Sequence, residues 1–109
     1  MFEDFRLRIF DTVCRTGSFT AAARALGITQ PAVSHSISEL EKQLGVSLFV
    51  RERQSVRLTE KGERLRSFTD RILYWYDAAQ NAMAGEEVTE PAVVSLDGET
   101  SVEIYVRKI

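Results

Sequence analysis

With 109 residues, 44% of them apolar, this chain has material for one small core but lies near the size at which burial alone is marginal, so self-association would help it. A net charge of −2, one histidine and one cysteine exclude an intrachain disulfide and a His/Cys-rich metal centre, and no stretch approaches the ~18 apolar residues of a membrane span. The start, Met1-Phe2-Glu3-Asp4-Phe5, is acidic and lacks the basic flank of a secretory signal, which points to the cytoplasm.

The first predicted helix runs from about Phe5 to Arg15, with Leu7, Phe10, Val13 and Cys14 facing the core and Phe2, Phe5 and Ile9 on another side, where a later helix would cover them. Cys14, beside Phe10 and Val13, reads as a core thiol rather than a redox sensor. A second helix can begin at Ser18, whose hydroxyl caps free amides, run through Ala21 to Leu26 and stop at Gly27. Ile28 fills the corner; Thr29 or Gln30 then caps a third helix with Pro31 in its first turn, where no amide hydrogen is needed. Val33, Ile37, Leu40 and Leu44 form one buried stripe of that helix, and Pro31, Ser34, His35, Ser38 and Lys42 occupy the opposite side. Short polar side chains in the first turns allow close approach to a duplex, with Gln30 suited to adenine, whereas Glu39 and Glu41 lie farther along, where phosphate repulsion is weaker. This is the outline of a DNA-reading helix-turn-helix, although taken alone it also fits a helical bundle with a solvated polar face.

Two short extended runs, Leu48-Phe49-Val50-Arg51 and Val56-Arg57-Leu58-Thr59, flank the polar tip Glu52 to Ser55 and predict a β-wing. Arg51, Arg53 and Arg57 would lie near the sugar-phosphate backbone and fix register, with Glu52 opposing them locally; a hairpin tip kept soluble by its arginines is the alternative. A long helix follows from an N-cap at Thr59 to about Ala84, with Gly62 an uneasy member. Leu58, Leu65, Ile72 and Ala79 repeat every seven residues, and so do Phe68, Trp75 and Ala82, offset to alternate steps of three and four. The seam predicts a dimer interface built on Leu65, Phe68, Ile72, Trp75 and Ala79, with Tyr74 and Tyr76 beside the tryptophan; a helix buried within its own chain is the alternative. After the acidic stretch Gly85 to Glu90, Pro91 opens two alternating runs, Ala92 to Leu96 and Thr100 to Val106, around Asp97-Gly98, a two-residue hairpin signal that sets Leu96 against Glu99 and places Val93, Val102, Ile104 and Val106 on one side. A lone hairpin is marginal in water, so that side is expected to pack on the long helix, to pair with a second copy, or to belong to a longer protein of which this is a part.

The order of these pieces resembles the N-terminal domain of LysR-type bacterial transcriptional regulators. The resemblance rests on Gly17-Ser18-Phe19-Thr20-Ala21-Ala22-Ala23, Gln30-Pro31-Ala32-Val33-Ser34, Leu40-Glu41, Leu44-Gly45, Leu48-Phe49-x-Arg51 and Leu58-Thr59-x-x-Gly62, spread over Phe5 to about Leu73. It implies a mainly α fold: a winged helix-turn-helix of three helices and a small β-wing over residues 1–60, followed by a linker and dimerisation helix over 59–85, to which the reading of the residues adds an acidic linker and a short β-hairpin over 86–109. It also implies a sequence-specific regulator of double-stranded DNA that pairs through the linker helix, with Gln30, Pro31, Ser34 and His35 at the DNA and Arg51 and Arg53 in the wing; Ser18, Thr29 and Ser38 are further DNA-binding candidates, and a homodimer paired along the seven-residue seam predicts an inverted-repeat operator. Gln54 stands where the family's wing commonly has a second arginine, and Lys61 replaces the small residue usual before Gly62. These residues leave no room for the effector-binding domain that follows in such regulators, so a small-molecule effector is not expected by the usual route.

Charge is divided to match. Residues 1–73 hold twelve Lys or Arg against nine Asp or Glu, a net +3, while residues 74–109 hold two against seven, a net −5. A modestly basic head suffices to meet a few phosphates, and binding should weaken with salt. Ser34-His35 is the one nucleophile and base pair in sight, and neighbouring helix residues diverge by about 100°, so no enzyme and no cofactor is expected. The rival reading is a shortened regulator paralogue that pairs with longer relatives through the linker helix.

Overall fold

The computed structural model describes residues 5–86, 89–96 and 100–108. Their elements follow in chain order as α1 (Phe5–Thr16), α2 (Phe19–Leu26), α3 (Gln30–Leu44), β1 (Phe49–Arg51), β2 (Val56–Leu58), α4 (Glu60–Met83), β3 (Thr89–Leu96) and β4 (Thr100–Lys108). The fold is mainly α, a winged helix-turn-helix with a long helix after it. The chain forms two compact units, one through Tyr74 and one from Trp75 onward. Among the described residues no helix is long and apolar enough to cross a membrane.

In the first unit, α1, α2 and α3 close around Phe10, Val13, Ala22, Val33 and Ile37, each without solvent exposure. The wing caps this core from the side. Phe49 of β1 packs its ring 5.4 Å from Phe10 and edge-on to Phe19 at 6.1 Å, so one wing residue touches both α1 and α2. Offset aromatic contacts of this kind add about 1 kcal/mol each beyond area burial.

Chain reversals at helix ends follow the local chemistry of the sequence. Ser18 caps α2, its Oγ accepting the Ala21 N–H at 3.2 Å, and Gly27 ends the helix in the left-handed conformation at φ 69°. Thr29 rather than Gln30 caps α3, its Oγ1 accepting the Ala32 N–H at 3.2 Å. Thr59 caps α4 through its Oγ1, which accepts the Gly62 N–H at 3.0 Å and donates to the Ser47 carbonyl at 2.6 Å. Gly62 belongs in α4 because the helix runs against β1's approach: a Cβ there would collide with the Leu48 carbonyl oxygen and come within 2.8 Å of a Leu58 methyl.

Three expectations need correction. Ile9 is buried in the central core, whereas Leu7 is only half-buried and stays outside the central cluster. The rows Phe5-Ile9-Val13 and Phe10-Cys14 lie side by side on α1, and Leu7 is two residues, about 200°, away from both Phe5 and Ile9. Leu44 does not complete the buried stripe of α3; it ends the helix beyond the edge of the core and is 48% exposed. In the hairpin, Leu96 pairs with Thr100, not Glu99, which brings Val94 opposite Val102, Ala92 opposite Ile104 and Val93 opposite Glu103. Counting the loop one residue longer moves each position of β3 to the other face, because strand side chains alternate with period two. Strand β3 also begins earlier than expected, at Thr89, and absorbs Pro91 at a register shift between Glu90 and Pro91, where proline's missing donor is tolerated. Phe2 and the Asp97-Gly98 turn lie outside the described residues.

Candidate nucleic-acid interface

Helix α3 presents Gln30, Pro31, His35 and Ser38 as exposed residues and Ser34 as a half-buried one, while Val33, Ile37 and Leu40 hold the other side in the core. The helix is therefore braced from Val33 to Leu40, and of its short polar residues only Ser36 is drawn into the packed side. Gln30 opens a cleft of about 200 Å³ shared with Ser18 and Phe19 of the second helix's start and with Arg51 and Arg53 of the wing. Thr29 stands at the helix entrance with its hydroxyl committed to the cap.

The wing is the antiparallel pair Phe49 with Leu58, Val50 with Arg57 and Arg51 with Val56. It is tied down by its backbone: the Val56 N–H donates to the Gly17 carbonyl at 2.9 Å and the Thr59 N–H to the Leu48 carbonyl at 3.0 Å. Glu41, expected only as a distant repulsive charge, has a structural task. One carboxylate oxygen accepts the Leu48 N–H at 2.7 Å and lies 3.4 Å from the Phe49 N–H and the Ser47 hydroxyl, so it anchors the start of β1. A glutamate one turn before a glycine-ended helix and facing a strand entry was the available signal.

The wing's arginines have different settings. The Arg51 guanidinium lies over the Phe19 ring, 4.7 Å from its centroid, and its Nη1 donates to Ser34 Oγ at 3.4 Å. Arg57 is engaged by Glu52 in an exposed ion pair at 2.5 Å. Arg53 stands exposed at the tip. The surface thus offers polar side chains from α3 and cations from the wing on adjoining sides of one cleft, a combination suited to base edges and phosphates rather than to covalent chemistry. Cys14 has no part in it: burial pushes its thiol up to about 12, against a lesser lowering by Arg66, and leaves it protonated and inert. Among the described residues no cluster of His, Cys, Asp or Glu could hold a metal ion.

Along α4, Leu65 leans on the chain's own core and is half-buried. Thr69 and Leu73 are buried as well. Phe68 is 59% exposed, Ile72 and Trp75 are exposed by more than a third, and Ala79 is half-buried. Structure therefore separates the predicted seam into an inward residue, Leu65, and an outward set, Phe68, Ile72 and Trp75.

The family model for the bacterial regulatory helix-turn-helix protein of the lysR family matches residues 5–63. The chain belongs to the LysR family. The matched segment is that family's helix-turn-helix, and the curated relatives it matches are named as transcriptional regulators. It is 45% identical over 78 residues to the HTH-type transcriptional regulator HdfR of Salmonella newport, a match covering 72% of this chain and 28% of that protein. The chain thus corresponds to well under a third of the length of the curated LysR relatives it matches. Among solved structures it is similar to the DNA-binding domain of CbnR in complex with DNA, at a TM-score of 0.72 and 29% identity over 76% of this chain and 95% of that one. It is also similar to a LysR-family transcriptional regulator from Eggerthella lenta, at a TM-score of 0.58 and 47% identity over 62% of this chain and 97% of that one.

Proposed function

We propose that this LysR-family chain recognises a specific double-stranded DNA sequence with the first turns of α3 in the major groove and the wing against the phosphate backbone. The observation that carries this is the braced polar face of α3, with Gln30, Ser34, His35 and Ser38 kept out of the core and the Arg51 and Arg53 cations beside it. Related support comes from CbnR, whose DNA-binding domain was solved with DNA and shares this fold. Pro31 keeps the helix entrance slim, and Ser18 and Thr29 mark the two helix starts that would meet phosphates. Such a protein works in the cytoplasm, where bacterial DNA lies.

The working unit in this reading is a homodimer paired through the exposed set Phe68, Ile72 and Trp75 with Ala79 on α4, which places two recognition helices on one face of an inverted-repeat operator. The test is selection from random-sequence DNA followed by binding of the purified chain to the selected duplex and by light scattering. We expect an inverted repeat, twice the 12.3 kDa chain mass, and an affinity that falls with salt. Gln30→Ala should relax preference at one base pair, whereas Arg53→Ala should weaken all duplexes alike and reduce the salt slope by about one. A monomer that shifts no duplex would end this reading. The same exposed set would also serve pairing with a longer relative, which a mixing experiment with such a relative would reveal as a mass between the two homodimers.

A further inference from the structure

We propose that Phe19 and Arg51 together bias the hydrogen-bond direction of Ser34, favouring donation from Ser34 to the base it faces and making Phe19 a positioning residue for sequence preference. The inference rests on the reading of α3 as the base-facing helix and adds how one of its residues chooses.

Three elements converge here. Phe19, in the first turn of α2, is buried and held edge-on by Phe49, so its ring cannot swing freely. Its open face carries the Arg51 guanidinium at 4.7 Å, well within the ~6 Å range of a cation–π contact. Held there, Arg51 reaches across from the wing to α3 and donates from Nη1 to Ser34 Oγ at 3.4 Å. A guanidinium has only donors, so Ser34 can meet it only as an acceptor. That contact occupies one of the two lone pairs of Ser34 and keeps the hydroxyl hydrogen off the Arg51 side, and the adjoining cation disfavours a second donor at Oγ, so the hydroxyl is biased toward donating to DNA. In the major groove guanine offers N7 and O6 and thymine offers O4 as acceptors, adenine offers a mixed edge, and cytosine presents only its N4 donor. A hydroxyl biased toward donation therefore favours guanine or thymine over cytosine. Freed of Arg51, the same hydroxyl rotates to accept or donate and discriminates poorly.

Arg51 is then more than a phosphate clamp, because its loss alters which sequences bind as well as how tightly. Phe19 acts through it without touching DNA.

The experiment uses the full chain and the duplex obtained by selection, with all four bases placed in turn at each position of one half-site. The position read by Ser34 is the one at which Ser34→Ala flattens the preference. There the unaltered protein should favour guanine or thymine over cytosine, and Arg51→Ala should reduce that ratio about two- to five-fold, the size of an exposed cation–π contact. Phe19→Leu should reduce it in the same direction, Phe19→Tyr, which keeps the ring face, should retain it, and Phe19→Leu in the Arg51→Ala background should add nothing. Thermal midpoints measured alongside separate this from simple loss of packing at Phe19, which would lower stability equally in both backgrounds and leave the ratio alone. Specific binding in which Arg51→Ala weakens every duplex by one factor, or in which cytosine is the favoured base, overturns the inference while leaving the proposed function standing. Failure of the unaltered protein to prefer any duplex overturns both.

Discussion

Helices α3 and α4 handle the same problem in opposite ways. Helix α3 buries Val33, Ile37 and Leu40 with Ser36 beside them and turns Gln30, His35 and Ser38 outward, whereas α4 buries Thr69 and Leu73 and leaves Phe68, Ile72 and Trp75 partly in water. A polar outward face is at rest in solvent, whereas an apolar one keeps surface in water that a covering partner would remove. The pair teaches that exposure has two meanings in this small protein: hydrogen-bonding groups on offer along α3 and apolar surface on offer along α4.

Most damaging to the comparison would be a change that undocks α4 at its start. Gly62→Ala sets a methyl against the Leu48 carbonyl oxygen, a backbone atom that cannot give way without moving β1 and the wing. We expect a loss of about 3 kcal/mol, on the order of 10 °C in the thermal midpoint, measured by circular dichroism. A neutral Gly62→Ala would mean that α4 and β1 do not approach each other as closely as this.

Next in size is the apolar set itself. Replacing Phe68 and Trp75 together by Ser should convert a dimer to a monomer in light scattering and weaken binding to a palindromic duplex at least tenfold, because anchors of this kind carry about 2 kcal/mol or more each. The thermal midpoint at high dilution should fall less than after a core substitution, since Phe68 is 59% exposed and Trp75 38% exposed. Substitution of Leu65, which leans on the chain's own core, should do the reverse, lowering stability more than association.

These expectations show which parts of the molecule were readable before the fold was known. The caps at Ser18, Thr29 and Thr59, the three-strand-residue arms of the wing and the inward stripe of α3 follow from local chemistry, in which a side chain bonds its own backbone or repeats at helical spacing. Gly62 was legible as an anomaly but not as a contact, because its reason, the Leu48 carbonyl, lies fourteen residues earlier in the chain. Contacts of that range were the ones missed: Glu41 on the amides of Leu48 and Phe49, and Phe19 under Arg51, each joining elements whose relative placement no local pattern encodes. The hairpin's register fell to a single uncounted loop residue. On α4 the seven-residue repeat marked apolar positions correctly but could not say which of them the chain itself would take, and Leu65 went inward while Phe68 stayed out.

Glu41 gives a smaller and more local test. Glu41→Ala removes the acceptor for the Leu48 N–H and frees the entry to β1, with an expected cost of about 1–3 kcal/mol in chemical denaturation and faster amide exchange at Leu48 and Phe49. Glu41→Gln keeps one acceptor oxygen and should recover part of the loss. If both variants match the unaltered protein, the wing is held by its backbone ties to Gly17 and Leu48 alone.

The smallest effect expected lies at the wing's edge, where Glu52 and Arg57 pair in full view of solvent. An exposed pair of this kind contributes little to stability, so Glu52→Gln should leave the thermal midpoint within a degree or two. Its consequence is electrostatic: it removes a negative charge from the side that faces DNA and releases Arg57 toward a phosphate. Affinity for any duplex should rise a few-fold, with a salt dependence steeper by up to about one charge, while the preference among sequences stays as it was. That last clause distinguishes the two arginines of the wing strands. Arg57 is held by a carboxylate, so freeing it toward phosphates is expected to shift all sequences together; Arg51 is held by Phe19 and Ser34, so disturbing it is expected to shift them apart.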